Sequence, residues 1–111
     1  MNIGQAAKAS GVSAKMIRYY EAIGLARRAK RTNGNYRHFR AADIECLSFI
    51  RRARDVGFSL DRVRGLLTLW SARKRPSARV KSLALAHIAE LEVRSAELKS
   101  MIEMLRACTR L

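Results

Sequence analysis

Residues 2–40, NIGQAAKASGVSAKMIRYYEAIGLARRAKRTNGNYRHFR, place two helix starts, a glycine turn and a hairpin signal in quick succession, which leaves few folds open. Asn2 can cap a first helix, and Gln5, three residues on, can reach back to it as a capping box. Ile3, Ala6 and Ala7 give a small apolar face at helical spacing. Gly11 supplies the backbone freedom of a tight turn, and Ser13 can cap the next helix. That second helix is expected over about Ser13–Ile23, with Lys15, Arg18 and Tyr19 along one face, Ile17 on another and Gly24 as its stop. This is helix-turn-helix spacing, in which the first helix holds the second at a steep angle so that it can enter a major groove.

Leu25 to Phe39 is expected to be a hairpin centred on Asn33-Gly34, a dipeptide that favours a tight turn. Arg27, Arg28, Lys30, Arg31, Arg37 and Arg40 crowd around it, so the hairpin reads as a wing that grips phosphate. The charge supports this. The chain carries 23 Lys and Arg against 9 Asp and Glu, a net +14. Residues 1–75 hold 17 basic and 5 acidic side chains, a difference of +12, whereas residues 76–111 hold 6 and 4, a difference of +2. A basic front and a nearly neutral rear point to nucleic acid; a membrane-surface protein is the competing reading. No apolar run reaches membrane-spanning length and no signal peptide opens the sequence, which gives a cytoplasmic expectation with no membrane partner.

Behind the wing, Ala41–Val56 reads as a third helix, with Ile44, Leu47 and Ile50 or Arg51 at helical spacing and Asp43 well placed in its first turn. Gly57 ends it. Ser59 can cap a fourth helix to about Trp70, with Leu60, Val63, Leu66, Leu67 and Trp70 on its apolar side. SARKRP breaks the pattern. From Ser77 onward, Ala84, Ile88, Leu91, Ser95, Leu98, Ile102 and Leu105 alternate by four and three, close to a heptad seam. A helix of about 30 residues spans about 45 Å, and pairing with a second copy covers such a seam most simply; folding back on its own domain is the alternative.

The run IRYYEAIGL followed by NGNYRHF resembles the DNA-binding domain of the MerR family of transcription regulators. Arg18, Tyr19, Tyr20, Glu21, Gly24, Leu25, Tyr36 and Arg37 carry the match, and Asn35 stands where many members pass directly from Gly to Tyr. GFSL resembles the usual joint between the third and fourth helices. The resemblance implies a mainly α fold: a winged helix-turn-helix DNA-binding domain over residues 1–75, then a dimerisation helix over 76–111 that forms an antiparallel coiled coil. It implies a homodimer on double-stranded promoter DNA with an overlong spacer, which it bends and untwists so that RNA polymerase engages both promoter elements.

Arg18 is the best candidate for a base edge, since its guanidinium can pair with guanine on two points. Lys15, one turn earlier, reaches a base or a phosphate. By resemblance Tyr20 touches phosphate while its neighbour packs, and Arg31, Tyr36 and Arg37 from the wing and Arg54 from the third helix meet the backbone. A solvated surface charge is the plain alternative for any one of these arginines. An effector-independent DNA-binding or architectural protein (excisionase-like) and a helical protein-interaction module are the other functions considered.

An enzyme is not expected. His38 and His87 have no nucleophile at a recognisable spacing, and there is no HExxH and no phosphate-binding glycine loop. Cys46 and Cys108 are too few for a disulfide framework, and Cys46 reads as a small residue of the third helix. Cys108 falls at the end of the dimer helix, where the copper-responsive (CueR-like) branch of the family begins a metal loop with two thiolates. That resemblance implies Cu(I) or another monovalent ion, which soft thiolates suit. Ser77 stands where divalent-metal members carry a third cysteine, and Lys81 can offset thiolate charge; Ser77 is also a plain helix cap. No second cysteine follows Cys108, so the metal loop is expected to be missing or truncated, and the copper resemblance bears on ancestry more firmly than on present activity.

Overall fold

The computed structural model describes residues 1–31 and 37–111, so the Asn33-Gly34 turn and Tyr36 lie outside the described residues. The chain divides into two units, residues 1–67 and 68–111.

In the first unit, α1 (Ile3–Ser10) opens on the expected capping box: Asn2 Oδ1 accepts from Gln5 N and Gln5 Oε1 from Asn2 N, each at 2.9 Å. Gly11, at φ 75°, ends the helix and donates its N–H to Ala7 O. Ser13 Oγ accepts from Met16 N at 3.2 Å and starts α2 (Ala14–Ala22). At its end the amides of Leu25 and Ala26 both donate to Tyr20 O, which turns the chain back on itself. Strand β1 (Lys30–Arg31) runs antiparallel to β2 (Arg37–His38), with Arg31 opposite Arg37. Leu25, Ala26 and Ala29, which fall within the expected hairpin, are buried in the core and lie outside the described strands.

Helix α3 (Ala41–Asp55) follows, then α4 (Leu60–Ser71), whose first turn is closed by Ser59 Oγ accepting from Arg62 N at 3.1 Å. Helix α1 packs against both α2 and α3. The core lies among these elements, with Ile17, Leu47, Ile50 and Val63 wholly buried and Ala6, Val12, Tyr20 and Phe39 around them. Each large aliphatic side chain so buried contributes roughly 1.5–3 kcal/mol relative to exposure.

The second unit holds the last residues of α4, a 3₁₀ turn (Ala72–Lys74) and α5 (Ala78–Ala107). Trp70 does not pack as its place on the apolar side of α4 suggests. It is 42% exposed and covered by the Arg73 guanidinium, 3.8 Å from the ring centroid; a cation over an indole face is favourable in itself. Ser77 Oγ accepts from Val80 N at 3.1 Å and so caps α5. No residue of α5 is buried in the single chain: Ile88, Leu91, Leu98, Ile102 and Leu105 are each at least 40% exposed.

Candidate nucleic-acid interface

Helix α2 has two faces. Ile17 and Tyr20 point into the core, while Lys15, Met16, Arg18 and Tyr19 are exposed. Lys15 lies three residues before Arg18 and four before Tyr19, so the three share one helical face. Neither Lys15 nor Arg18 makes an ion pair or side-chain hydrogen bond among the described residues. The burial of the two tyrosines runs opposite to the expected packing. Tyr20 is 6% exposed and packs, because it sits three residues after Ile17 on the inner face; Tyr19 is 45% exposed, its ring 5.9 Å from that of Tyr20.

Among the described residues, the hairpin is fastened to the rest of the unit at three places. Glu21, with a side chain 1% exposed, accepts from Ala29 N at 2.8 Å on Oε2 and from the Arg37 guanidinium on Oε1. Asp43 accepts from Arg27 on both oxygens and from Arg40 N at 2.8 Å. Phe39 N donates to Met1 O at 2.7 Å, and the Met1 amino group donates to Phe39 O at 3.1 Å.

A carboxylate as deeply buried as that of Glu21 requires a compensating charge, and Arg37, expected from the resemblance to meet the DNA backbone, supplies it through its guanidinium. Arg31 is exposed on β1, directly opposite Arg37. Arg54, near the end of α3, is exposed and donates to Phe58 O at 2.7 Å. Arg64, from α4, reaches the end of α2 and donates to Ile23 O at 3.0 Å and Gly24 O at 3.2 Å. A cation there offsets the negative end of the helix dipole. Glu21, Asp43, Arg64 and Tyr19 are the residues the sequence reading passed over as site elements. The signal for the first two was available: residues 1–75 contain few acids, and an isolated carboxylate among many arginines is a natural ion-pair partner.

At the other end of the chain, Cys108 is exposed at the C-cap of α5, its thiol 3.7 Å from Met104 O. Lys81 is exposed, and the Ser77 hydroxyl is engaged as a cap. Within one chain Ser77 and Cys108 sit at opposite ends of a 30-residue helix, about 45 Å apart. Among the described residues no cluster of three or more His, Cys, Asp or Glu could hold a metal ion, and no helix is long and apolar enough to cross a membrane.

Two family models match the chain: "MerR HTH family regulatory protein" over residues 1–69 and "MerR, DNA binding" over residues 44–108. The chain is 56% identical over 107 residues to heavy metal-dependent transcription regulator 1 of Rhizobium meliloti, covering 96% of this chain and 73% of the relative. It is 43% identical over 101 residues to the transcriptional regulator CueR of Yersinia pestis, covering 91% and 73%. Among solved structures, a MerR-family regulator from Listeria monocytogenes superposes with a TM-score of 0.75 at 31% identity, covering 95% of this chain and 80% of that one. These relatives are transcription regulators, not enzymes. A helix-turn-helix with an exposed basic helix, a clamped hairpin behind it and these matches lead to one conclusion: the chain belongs to the MerR family of DNA-binding transcription regulators.

Proposed function

We propose that the chain works as a homodimer on promoter DNA, with α2 in the major groove and the β1–β2 hairpin against the neighbouring backbone. The observation that carries this reading is the outward face of α2, where Lys15, Arg18 and Tyr19 stand exposed over a buried Ile17. Arg18 is the base-reading residue, Lys15 reads a base or a phosphate, and Arg31 and Arg54 meet phosphate; Tyr36 is assigned to the backbone from the sequence alone. The pairing surface is the α5 seam of Ala84, Ile88, Leu91, Leu98, Ile102 and Leu105, whose exposed aliphatic side chains require a cover. Residues 1–75 then form the DNA-binding part and 76–111 the dimerisation part. The dimer distorts a promoter with an overlong spacer so that RNA polymerase engages both elements, with contact energy offsetting the deformation of the DNA.

The relatives named as heavy metal-dependent, and CueR, support a metal effector. Cys108 is exposed, and its thiolate is one of the soft ligands a two-coordinate Cu(I) site takes. Antiparallel pairing of α5 brings the Cys108 end of one helix to the Ser77–Lys81 end of the other, so Cys108 is the residue of this chain that would contribute a soft ligand to an ion held at the dimer. A Cu(I) competition titration of the reduced protein beside Cys108→Ser tests it: equal binding by both proteins removes Cys108 from the assignment. For the DNA reading, Arg18→Ala is expected to lose operator binding in a gel-shift assay while its sedimentation stays that of wild type. Undiminished, equally selective binding would refute the placement of α2.

A further inference from the structure

Among the described residues, the Glu21 carboxylate joins α2 to both arms of the hairpin. Its Oε2 holds the amide of Ala29, the residue before β1, at 2.8 Å, and its Oε1 holds the guanidinium of Arg37, the first residue of β2. Glu21 lies three residues after Arg18, about 60° around the same helix, and is buried where Arg18 is exposed. A buried ion pair adds little net stability over an apolar pair of the same volume, and its better-attested use is to fix one geometry among several. Here the geometry is the reach from the outer face of α2 to the hairpin. Rotation of the hairpin about the helix would break both bonds and leave a carboxylate buried without a partner, so the two bonds oppose such a rotation.

We propose that Glu21 and Arg37 are positioning residues for DNA recognition: the pair clips the hairpin to α2 at a fixed offset, and so sets the register between groove contacts and flanking phosphate contacts. This rests on the assignment of α2 to the groove and the hairpin to the backbone. It separates from a direct phosphate role for Arg37 by a sign. Glu21→Gln removes a negative charge from a DNA-binding protein, and long-range electrostatics alone makes such a variant bind DNA more tightly. If the pair is a clip, the variant binds more weakly, because freed Arg37 no longer holds the hairpin in place.

The experiment is hydroxyl-radical footprinting and a salt-titrated gel shift of wild type, Glu21→Gln, Arg37→Gln and the double variant on the same operator, each checked by thermal melting to be folded at the assay temperature. Both single variants are expected to bind about tenfold more weakly, with a salt slope lower by about 1 to 2, the size of one or two lost phosphate contacts. They should lose protection of the flanking phosphates and keep protection over the groove site. The double variant should be no weaker than the weaker single, since both break one clip. Glu21→Gln binding as tightly as wild type with an unchanged footprint, or single effects that add in the double, would overturn the proposal. Should the singles melt too low to assay, the double variant decides, since it buries no unpaired charge: a wild-type footprint in it overturns the clip, and loss of flanking protection alone supports it. Wild-type protein that protects no DNA at all would overturn the underlying placement as well.

Discussion

Arg27 holds the buried carboxylate of Asp43 on two points, with Nε 3.2 Å from Oδ1 and Nη2 2.8 Å from Oδ2. The same carboxylate takes the amide of Arg40 at 2.8 Å, so one side chain fastens the base of the hairpin and closes the first turn of α3. The Arg27 side chain is 37% exposed, and solvent screening leaves the ion pair itself worth little. Most of the stabilisation comes from the capped amide and from avoiding unpaired buried groups. Asp43→Ala is therefore expected to cost about 2 kcal/mol and to lower the melting temperature by roughly 10 °C. Asp43→Asn, which keeps an acceptor for Arg40 N, should cost less. Calorimetry of the two variants checks the order; equal melting points would place the stabilisation in the ion pair instead.

Tyr19 and Tyr20 should separate binding from folding. Tyr20 is a core ring, and its truncation to Ala is expected to cost about 3–5 kcal/mol, as for other large aromatic deletions. Tyr19→Ala should leave stability within about 0.5 kcal/mol and weaken DNA binding, since its ring stands beside Arg18 on the exposed face. Urea unfolding and gel shifts on the same preparations read both. A Tyr19 variant that unfolds early and binds normally would reverse the assignment.

Helix starts and stops were legible because they are local. Asn2, Ser13 and Ser77 act on amides three residues away, and Gly11 and Gly24 sit where the chain needs a positive φ, so each signal is complete within a few residues of sequence. That Glu21 and Asp43 would pair was legible, but their partners were not, because Glu21 with Arg37 and Arg27 with Asp43 are each 16 residues apart and only the packed core sets those distances. The burial of Tyr20 rather than Tyr19 had the same origin. Periodicity tells that Tyr19 and Tyr20 face different ways, and it takes the position of Ile17 relative to α1 to say which way is in.

Gly11 offers a test of the turn between α1 and α2. A Cβ there would stand 2.8 Å from Arg51 Nε and 2.9 Å from its Cδ, and the backbone is at φ 75°. The Arg51 side chain is flexible and 44% exposed, so it can move aside cheaply; the left-handed backbone cannot. Gly11→Ala is expected to cost about 1–2 kcal/mol, with Arg51→Ala restoring only a small part of it. Full recovery in the double variant, measured by denaturant titration, would show that crowding rather than backbone strain dominates.

Leu91 sits in the middle of the α5 seam and is 40% exposed in the single chain. Leu91→Glu puts a charge where two copies would bury an aliphatic side chain, at a cost of several kcal/mol per unpaired charge. Analytical ultracentrifugation should then find a monomer, and operator affinity should fall because one copy contacts only half the site. A Leu91→Glu protein that stays dimeric would put the seam on another face of α5.

Cys46 and Cys108 should differ in reactivity. Burial, then the nearby charges of Asp43 and Glu45, push the Cys46 thiol above its ordinary value of 9.0, whereas Cys108 is exposed. Since the thiolate is the nucleophile, a disulfide reagent near neutral pH should label Cys108 quickly and Cys46 only as the protein opens. The raised value also gives stability a direction with pH. The folded state keeps the Cys46 proton more tightly than the unfolded chain does, so this contribution is fully present below about pH 9 and is lost as pH rises through the folded value. Cys46→Ala should therefore flatten the alkaline fall in stability relative to wild type. Thermal melts of both proteins across pH 8 to 10.5 measure the difference, and parallel curves would mean that Cys46 loses its proton as readily in the folded protein as in the unfolded one.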